Sequence, residues 1–194
     1  MDTLFPPVPV YPPGFTYVPD FLTEEEEQQL IREISGIELH AFNFHGYEAK
    51  RRVASFGYDY RFDQRSLVKG REIPGAFQNL VGKVASKTGI SKEEFVELLV
   101  TEYPEGSVIN WHRDAFPFDV IAGVSLLSDC TFRLRPHDKT KRVRGSIISL
   151  PVKRRSLYLI AGKARTEWQH SISPVQSVRY SLTLRTLRNP PGRS

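Results

Sequence analysis

Residues 179–185 read Arg-Tyr-Ser-Leu-Thr-Leu-Arg, and this stretch says most about the fold. Because side chains alternate between the two faces of a β-strand, the polar ones share a face: Arg179, Ser181, Thr183 and Arg185. Two arginines that point into a β-sheet core are unfavourable unless anions pair with them. A dicarboxylate ligand is one good partner, since a planar guanidinium grips a carboxylate through two hydrogen bonds. The alternative is an edge strand whose arginines face solvent.

Short runs rich in Val, Ile, Leu, Tyr, Phe and Thr indicate more strands upstream. The predicted strands cover residues 95–103, 118–127, 130–135, 146–150, 156–160 and 179–187, with an earlier pair at 52–56 and 58–62. Two helices are predicted near the N-terminus, one capped by Thr23 with Glu26 and one over about residues 75–87 that Gly89 ends. This order favours an α+β domain with a β-sandwich or barrel at its centre, most simply a jelly roll (double-stranded β-helix) with N-terminal supporting helices.

The length of 194 residues suits one domain, and 40% hydrophobic residues suffice for a core. We expect that domain to span residues 15–188, after a proline-rich N-terminal segment (1–14) and before a short C-terminal tail (189–194). A single cysteine, Cys130, excludes an intrachain disulfide and a four-cysteine zinc site. With no signal peptide and no apolar run long enough for a membrane span, the sequence predicts a cytoplasmic protein, which we expect to be monomeric.

The segment His112-Arg113-Asp114 is the first candidate for metal chemistry. On an extended chain His112 and Asp114 point the same way, and two histidines plus one carboxylate suit non-haem iron(II). Among the other histidines, residues 40 and 45 have no carboxylate at a matching offset, residue 137 lies in a polar turn, and His170 lies next to apolar residues near the last strand. On the residues alone, a hydrogen-bonded His–Asp pair and a core histidine remain the alternatives.

The chain resembles the AlkB-like branch of the iron(II)/2-oxoglutarate dioxygenases from about residue 15 to residue 188. The resemblance lies in the order and spacing of these motifs: Tyr103-Pro104-Glu105-Gly106, His112-Arg113-Asp114, Arg155-Ser156-Leu157, Gly162, Trp168-Gln169-His170 and residues 179–185. It implies three Fe(II) ligands, namely His112, Asp114 and His170. It also implies that Arg179 pairs with the distal carboxylate of 2-oxoglutarate and that Tyr103 donates a hydrogen bond to this cosubstrate. Arg185 would be a catalytic residue near the metal-bound end of the cosubstrate or near the substrate.

Three positions depart from the family pattern. Thr101 and Ser181 stand where asparagines often contact the cosubstrate, and we expect their hydroxyls to make those contacts. Phe116 stands two places after Asp114, where DNA-repair members often carry an acid. Phe116 is therefore a candidate for substrate contact, and the base preference stays open.

Two segments point to nucleic acid. Residues 133–155 hold nine basic side chains against one acid, Asp138, which suits the neutralisation of several phosphates. Residues 50–60 mix cations with aromatics, as expected of a lid that grips phosphate and stacks on an extruded base. The candidates for substrate binding there are Arg51, Phe56, Tyr58 and Tyr60. The alternatives are a solvated hairpin and core aromatics.

The expected function is oxidative demethylation of N-alkylated bases in DNA or RNA, with Fe(II), 2-oxoglutarate and O₂. Hydroxylation of an N-methyl group gives a hemiaminal that expels formaldehyde, while 2-oxoglutarate becomes succinate and CO₂. Base extrusion is easiest from single strands. The open alternatives are a tRNA-modifying enzyme, the same chemistry on a protein side chain, and a jelly-roll nucleic-acid-binding module without catalysis.

Overall fold

A pair of antiparallel β-sheets forms the centre of the computed structural model, which describes residues 10–44, 47–61 and 64–188. Strands and helices are numbered along the chain. The larger sheet has eight strands. In sheet order they are β1 (Phe15–Val18), β10 (Leu157–Ile160), β7 (Phe118–Leu126), β12 (Arg179–Leu187), β5 (Glu97–Tyr103), β3 (Tyr47–Arg61) and β2 (His40–Phe44), with β4 (Ser66–Lys69) paired to β3.

The smaller sheet has four strands and faces the inner side of the larger one. In sheet order they are β6 (Ile109–His112), β11 (Trp168–Ile172), β8 (Cys130–Pro136) and β9 (Ile148–Val152). An apolar cluster fills the space between the sheets and includes Phe132 and Leu134 from the smaller sheet and Ile121 from the larger. Two layers of antiparallel strands with this packing confirm the predicted jelly roll.

Two helices support the outer face of the larger sheet. Helix α1 (Glu24–Ser35) begins with the predicted capping box of Thr23 and Glu26. Helix α2 (Gln78–Thr88) follows a 3₁₀ turn at Gly75–Phe77 and ends at Gly89, as predicted. Their apolar side chains pack against the outward-facing residues of β5, β7 and β12. A short helix, α3 (Gly162–Thr166), precedes β11.

Strand β3 differs from the prediction, because a single strand replaces the expected pair at 52–56 and 58–62. Gly57 has a left-handed φ of 82°, and a Cβ there would overlap the carbonyl of Val96. The chain bends at this glycine and remains extended. Before the bend β3 pairs with β5, and after it β3 pairs with β4.

The N-terminal residues from 10 onward lie against the start of α3. Pro13 accepts a hydrogen bond from the amide of Ala164, and Gly14 accepts one from Ala161. The prolines of residues 1–9, and the tail of residues 189–194, lie outside the described residues. Within the described part of the chain, no helix has the length and apolar character needed to cross a membrane.

Candidate metal and cosubstrate site

The smaller sheet brings the two predicted histidine ligands together. His112 on β6 and His170 on β11 face each other across the antiparallel pair, with ring centroids 4.2 Å apart. Asp114 follows β6 by two residues. The candidate ligand atoms of His112, Asp114 and His170 all lie within 4.8 Å of one another, which is close enough to hold one metal ion.

Neighbouring groups orient both imidazoles. His112 Nδ1 lies 2.8 Å from the carbonyl oxygen of Asn110, which makes Nδ1 the donor, so Nε2 is the ring nitrogen that this bond leaves available to a metal. The ring of His170 stacks on Phe132 at 5.4 Å between centroids. Burial, together with the neighbouring His112, lowers the pKa of His170 to about 3, so the His170 ring is neutral.

Arg185 fixes the carboxylate of Asp114. Its Nε and Nη2 donate to Asp114 Oδ1 at 3.1 and 2.7 Å, and its Nη1 donates to Glu97 Oε2 at 2.8 Å. Asp114 Oδ2 is buried, accepts no hydrogen bond, and lies 3.4 Å from His170 Nε2. Burial would raise the pKa of Asp114, but the positive charge of Arg185 holds it below the ordinary value. One oxygen is therefore held by the protein, and an ionised second oxygen faces the histidines.

Glu97 and Asp114 share one guanidinium. Burial raises the pKa of Glu97 to about 7, and Arg185 opposes that rise. Burial alone would lower the pKa of Arg185, but Glu97 and Asp114 raise it above its ordinary value. Arg185 therefore carries the positive charge of this buried network.

Arg179, six residues earlier on β12, has a different environment. Its side chain is fully buried, and its Nε donates to Ser125 Oγ at 3.0 Å. Its two terminal nitrogens have no hydrogen-bond partner, and its guanidinium carbon lies 4.9 Å from the centroid of the Tyr103 ring. No carboxylate of the described chain pairs with Arg179. These two buried donors lie at the start of β12, and an acceptor for them must come from outside the protein.

The other predicted cosubstrate residues line the same interior face. Tyr103 pairs with Arg179 in the β5–β12 register, and Thr101 pairs with Ser181. All of them are buried, and the hydroxyl of Ser181 has no partner. Thr101, Tyr103, Arg179 and Ser181 therefore share one polar surface between the sheets, as the strand alternation predicts.

These groups fit Fe(II) and 2-oxoglutarate. Two imidazoles and one free carboxylate oxygen form the donor set that non-haem iron(II) uses with positions left open. The unpartnered donors of Arg179 and Ser181 are suited to a carboxylate. The atoms without partners are therefore those that a metal and an anionic cosubstrate would satisfy.

The residues predicted to bind substrate are more scattered. Phe56 is only 5% exposed and packs in the cluster under the helices, with the Arg71 guanidinium carbon 4.9 Å from its ring centroid. The structure therefore does not bring Phe56 to the site, because Phe56 lies on the helix-facing side of β3. Tyr60 packs at the edge of the inter-sheet core, and Tyr58 pairs with Lys69 beyond the bend.

Arg51 and Phe116 lie nearer the site. Arg51 precedes Arg52, which pairs with Glu102 in the β3–β5 register, so Arg51 lies at the end of β5 that carries Tyr103. Burial lowers the pKa of Arg51. Phe116 is 79% exposed, two residues beyond Asp114. Arg188 Nε donates to the Phe116 carbonyl at 2.8 Å.

Four residues near the site were not predicted: Glu97, Ser125, Tyr158 and Arg165. Glu97 had a signal in the sequence, since it has the same strand parity as Thr101 and Tyr103. Ser125 and Tyr158 reach the site only through strand pairing, and burial raises the pKa of Tyr158. Nη2 of Arg165 donates to three carbonyls of the turn after β6, those of Asp114, Ala115 and Phe118.

Comparison with known proteins agrees with this geometry. The sequence profile of the 2OG-Fe(II) oxygenase superfamily matches residues 14–188. A mouse protein, tRNA (carboxymethyluridine(34)-5-O)-methyltransferase ALKBH8, is 27% identical over 84% of this chain and 24% of its own length. The Alkylated DNA repair protein ALKBH8 homolog of Arabidopsis thaliana is 30% identical over 92% of this chain and 60% of its own length.

The solved structure of OsALKBH1 superposes with a TM-score of 0.70 at 17% identity, covering 93% of this chain and all of that one, which shows a shared fold. The chain spans only about a quarter of the length of the mouse relative. The profile match and the resemblance to both ALKBH8 proteins nevertheless agree with the paired histidines and the buried arginine. The chain belongs to the 2OG-Fe(II) oxygenase superfamily, in its AlkB-like branch, whose cofactors are Fe(II) and 2-oxoglutarate with O₂.

Proposed function

We propose that the protein removes N-alkyl groups from nucleic-acid bases by oxidation. The observation that carries the proposal is Arg179, a fully buried guanidinium with two unpartnered nitrogens on the strand that also holds Asp114 through Arg185. A retired site has no reason to keep such an arginine, because an unpaired buried charge lowers stability. This argues against a binding module without catalysis.

The roles proposed for the site residues follow from their contacts. His112, Asp114 and His170 would hold the iron, and Arg179 would bind the distal carboxylate of 2-oxoglutarate, with hydrogen bonds from Tyr103, Thr101 and Ser181. When bound, iron and cosubstrate supply the oxidising power that hydroxylates a C–H bond next to nitrogen. Arg185 contacts Asp114 and Glu97, so we assign it to positioning the metal-binding carboxylate.

The basic segment 133–155 supports a nucleic-acid substrate in part. Lys153 pairs with Asp129, Arg154 with buried Glu27, and residue 155 with an exposed aspartate 3.5 Å away, so these three charges are neutralised. The other six, at positions 133, 135, 139, 141, 142 and 144, form no ion pair with an acid in the described ranges.

Part of this charge lies around an aromatic ring on the outer face of the smaller sheet. The guanidinium carbons of Arg133 and Arg135 lie 5.0 and 4.3 Å from the Trp111 ring centroid. Arg142 joins them through Gln169, whose side-chain oxygen accepts from both Arg135 and Arg142. Cations beside an aromatic ring suit contact with a nucleic-acid strand.

The substrate class can be tested directly. The relatives are named for tRNA and for alkylated DNA. Iron-loaded protein, prepared without oxygen, would be given 2-oxoglutarate, air and one of four substrates: methylated single-stranded DNA, methylated tRNA, a methylated peptide or none. We expect formaldehyde in equal amounts to the succinate made above the substrate-free level, with DNA or tRNA. Formaldehyde from the peptide alone would move the protein-substrate alternative ahead, and none from any substrate would reject dealkylation.

A second experiment tests the basic segment. Lys141 and Arg144 are exposed, and the double variant Lys141→Glu, Arg144→Glu should weaken binding to single-stranded oligonucleotides and flatten its salt dependence. The control makes the same charge change on the helix side, with Lys87→Glu and Lys92→Glu, and should leave binding unchanged. An equal loss of oligonucleotide affinity in the two double variants would mean that binding depends only on the net charge of the protein. Monomeric state and cytoplasmic location stay predictions.

A further inference from the structure

A cavity of about 540 Å³ lies beside Asp114 and is bordered by the turn that follows β6. Its lining consists of Arg113, Asp114, Phe116, Arg165, Thr166 and Arg188. Three of these six residues are arginines, and the one acid already binds Arg185. The volume is in the range of ligand-binding clefts.

The three arginines have no acidic partner within the described residues. Arg113 donates to the Thr166 carbonyl at 2.7 Å, and Arg188 donates to the carbonyl of Phe116 at 2.8 Å. Arg165 is 4% exposed, donates through Nη2 to main-chain carbonyls only, and its buried Nε has no partner. Carbonyl oxygens satisfy hydrogen bonds without neutralising charge, so the wall of this cavity keeps a positive excess.

Phe116 adds an aromatic surface at the same place. Its ring is 79% exposed, and the guanidinium carbon of Arg188 lies 5.0 Å from the ring centroid. An exposed ring beside uncompensated arginines offers a π-face and a phosphate-binding fork together. Acidic side chains of a peptide would use the arginines but not the ring, and a nucleotide uses both.

We propose that this cavity binds a phosphodiester of the nucleic-acid strand next to the alkylated nucleotide. Arg113 and Arg188 contact the phosphate, and Phe116 stacks on the adjoining base. Arg165 holds the rim in place, because it clamps the backbone of the turn that carries Phe116. The inference rests on the proposed function for its substrate class, but it assigns a separate site on the protein.

The test measures binding of a single-stranded oligonucleotide that carries one N-methylated base, by fluorescence anisotropy over a salt series. The double variant Arg113→Gln, Arg188→Gln removes two cations, and the control Lys87→Gln, Lys92→Gln removes two on the helix side. For a single strand each neutralised phosphate contributes about 0.7 to the slope of log affinity against log salt, so the double variant, which loses the one phosphate that both arginines contact, should lose about 0.7. The control should keep the wild-type slope.

A second arm uses the wild-type protein and therefore does not depend on the folding of a variant. Each phosphate flanking the methylated base is replaced in turn by a neutral methylphosphonate. We expect one position to lower the affinity of the wild type about tenfold or more. The same replacement should have little further effect on the double variant, because its contact is already absent. Phe116→Ala should lower affinity with no change in salt slope, since stacking neutralises no charge.

The outcomes separate this inference from the proposed function. If the wild type binds and demethylates the oligonucleotide but no methylphosphonate position matters, the phosphate site is rejected and the proposed function stands. If the wild type binds no nucleic acid, and an acidic methylated peptide binds instead with dependence on Arg113 and Arg188, both are rejected. Competition by inorganic phosphate alone, with equal affinity for all oligonucleotides, would reduce the cavity to a general anion site and also overturn the inference.

Discussion

Replacing Arg179 by methionine should stabilise the protein without its cosubstrate and abolish its affinity for 2-oxoglutarate. Arg179 is fully buried, only its Nε has an acceptor, and its two terminal nitrogens have none. The effective penalty for burying an unpaired ion is several kcal/mol. The Ser125 hydroxyl and the Tyr103 ring offset part of that penalty. Since methionine has a similar length and no charge, we expect a gain of about 1–3 kcal/mol in unfolding free energy.

Arg185 provides a matched comparison on the same face of the same strand. Arg185→Met leaves Glu97 and Asp114 buried without their shared cation. Breaking a buried ion pair by removing one partner is destabilising by about 3–5 kcal/mol. The two variants remove the same side chain six residues apart, yet the expected changes in stability have opposite signs.

Urea unfolding of the metal-free and cosubstrate-free proteins measures both changes. Addition of Mn²⁺ as a redox-quiet substitute for iron should then raise the wild-type stability, and 2-oxoglutarate at about a hundred times its dissociation constant should add about 2.7 kcal/mol to the metal's contribution. The same addition should give Arg179→Met the metal's contribution only. If Arg179→Met is destabilised as strongly as Arg185→Met, Arg179 has a structural partner and its role in holding the cosubstrate is wrong.

Three other changes test separate parts of the structure. His112→Ala should abolish tight binding of Fe(II) or Mn²⁺ in anaerobic titration calorimetry, because two protein ligands remain; undiminished affinity would contradict the ligand set. Gly123→Ala should lower unfolding free energy by about 1–3 kcal/mol, because a Cβ would overlap the Tyr158 ring, whereas Gly82→Ala has open space and should be neutral or stabilising. The pKa of Glu97 is about 7 against an ordinary 4.5, so the folded state binds the Glu97 proton more tightly than the unfolded state does. Between pH 4.5 and 7 the unfolding free energy of the wild type should therefore fall relative to that of Glu97→Gln, by up to about 1.4 kcal/mol per pH unit. Parallel pH profiles of the two proteins would refute this.

Local sequence signals predicted the elements whose causes are local. The capping box of Thr23 and Glu26 and the glycine that ends α2 depend on neighbours within one helical turn. Strand β12 was predicted over its observed range, because polar and apolar residues alternate from Arg179 to Arg185. The same alternation put Arg179 and Ser181 on one face of β12, whereas Thr101 and Tyr103 on β5 were predicted from the family resemblance.

The prediction that Phe56 binds substrate failed because the position of Phe56 depends on long-range strand pairing. A run that mixes cations and aromatics fits a lid over a substrate, but composition does not say which face of a strand points outward. Phe56 has the same parity as Ala54, and both pack toward the helices. Only the pairing of β3 with β5 fixes that parity, and this pairing joins residues about 40 positions apart.

The two carboxylates that pair with Arg185 could not be predicted from neighbouring residues either. A dicarboxylate cosubstrate was one good anion for the arginines of β12, and the structure pairs Arg185 with Glu97 and Asp114 instead. Glu97 lies directly opposite Arg185 in the strand register, 88 residues away in the chain. Strand alternation alone does not distinguish Arg179 from Arg185; the family resemblance assigned Arg179 to the cosubstrate, and the long-range pairing gives Arg185 its two carboxylates.

The bond between Arg185 and Asp114 also links the two layers of the sandwich. Asp114 extends from the smaller sheet, and Arg185 belongs to the larger one. The sheets therefore cannot slide past each other without rotating the carboxylate that faces the histidines. Metal affinity therefore depends on the relative position of the two sheets. A substitution in the core between them, such as at Phe132 or Ile121, can change metal affinity without altering any ligand. A small shift of one sheet relative to the other would therefore weaken iron binding before it unfolded the protein.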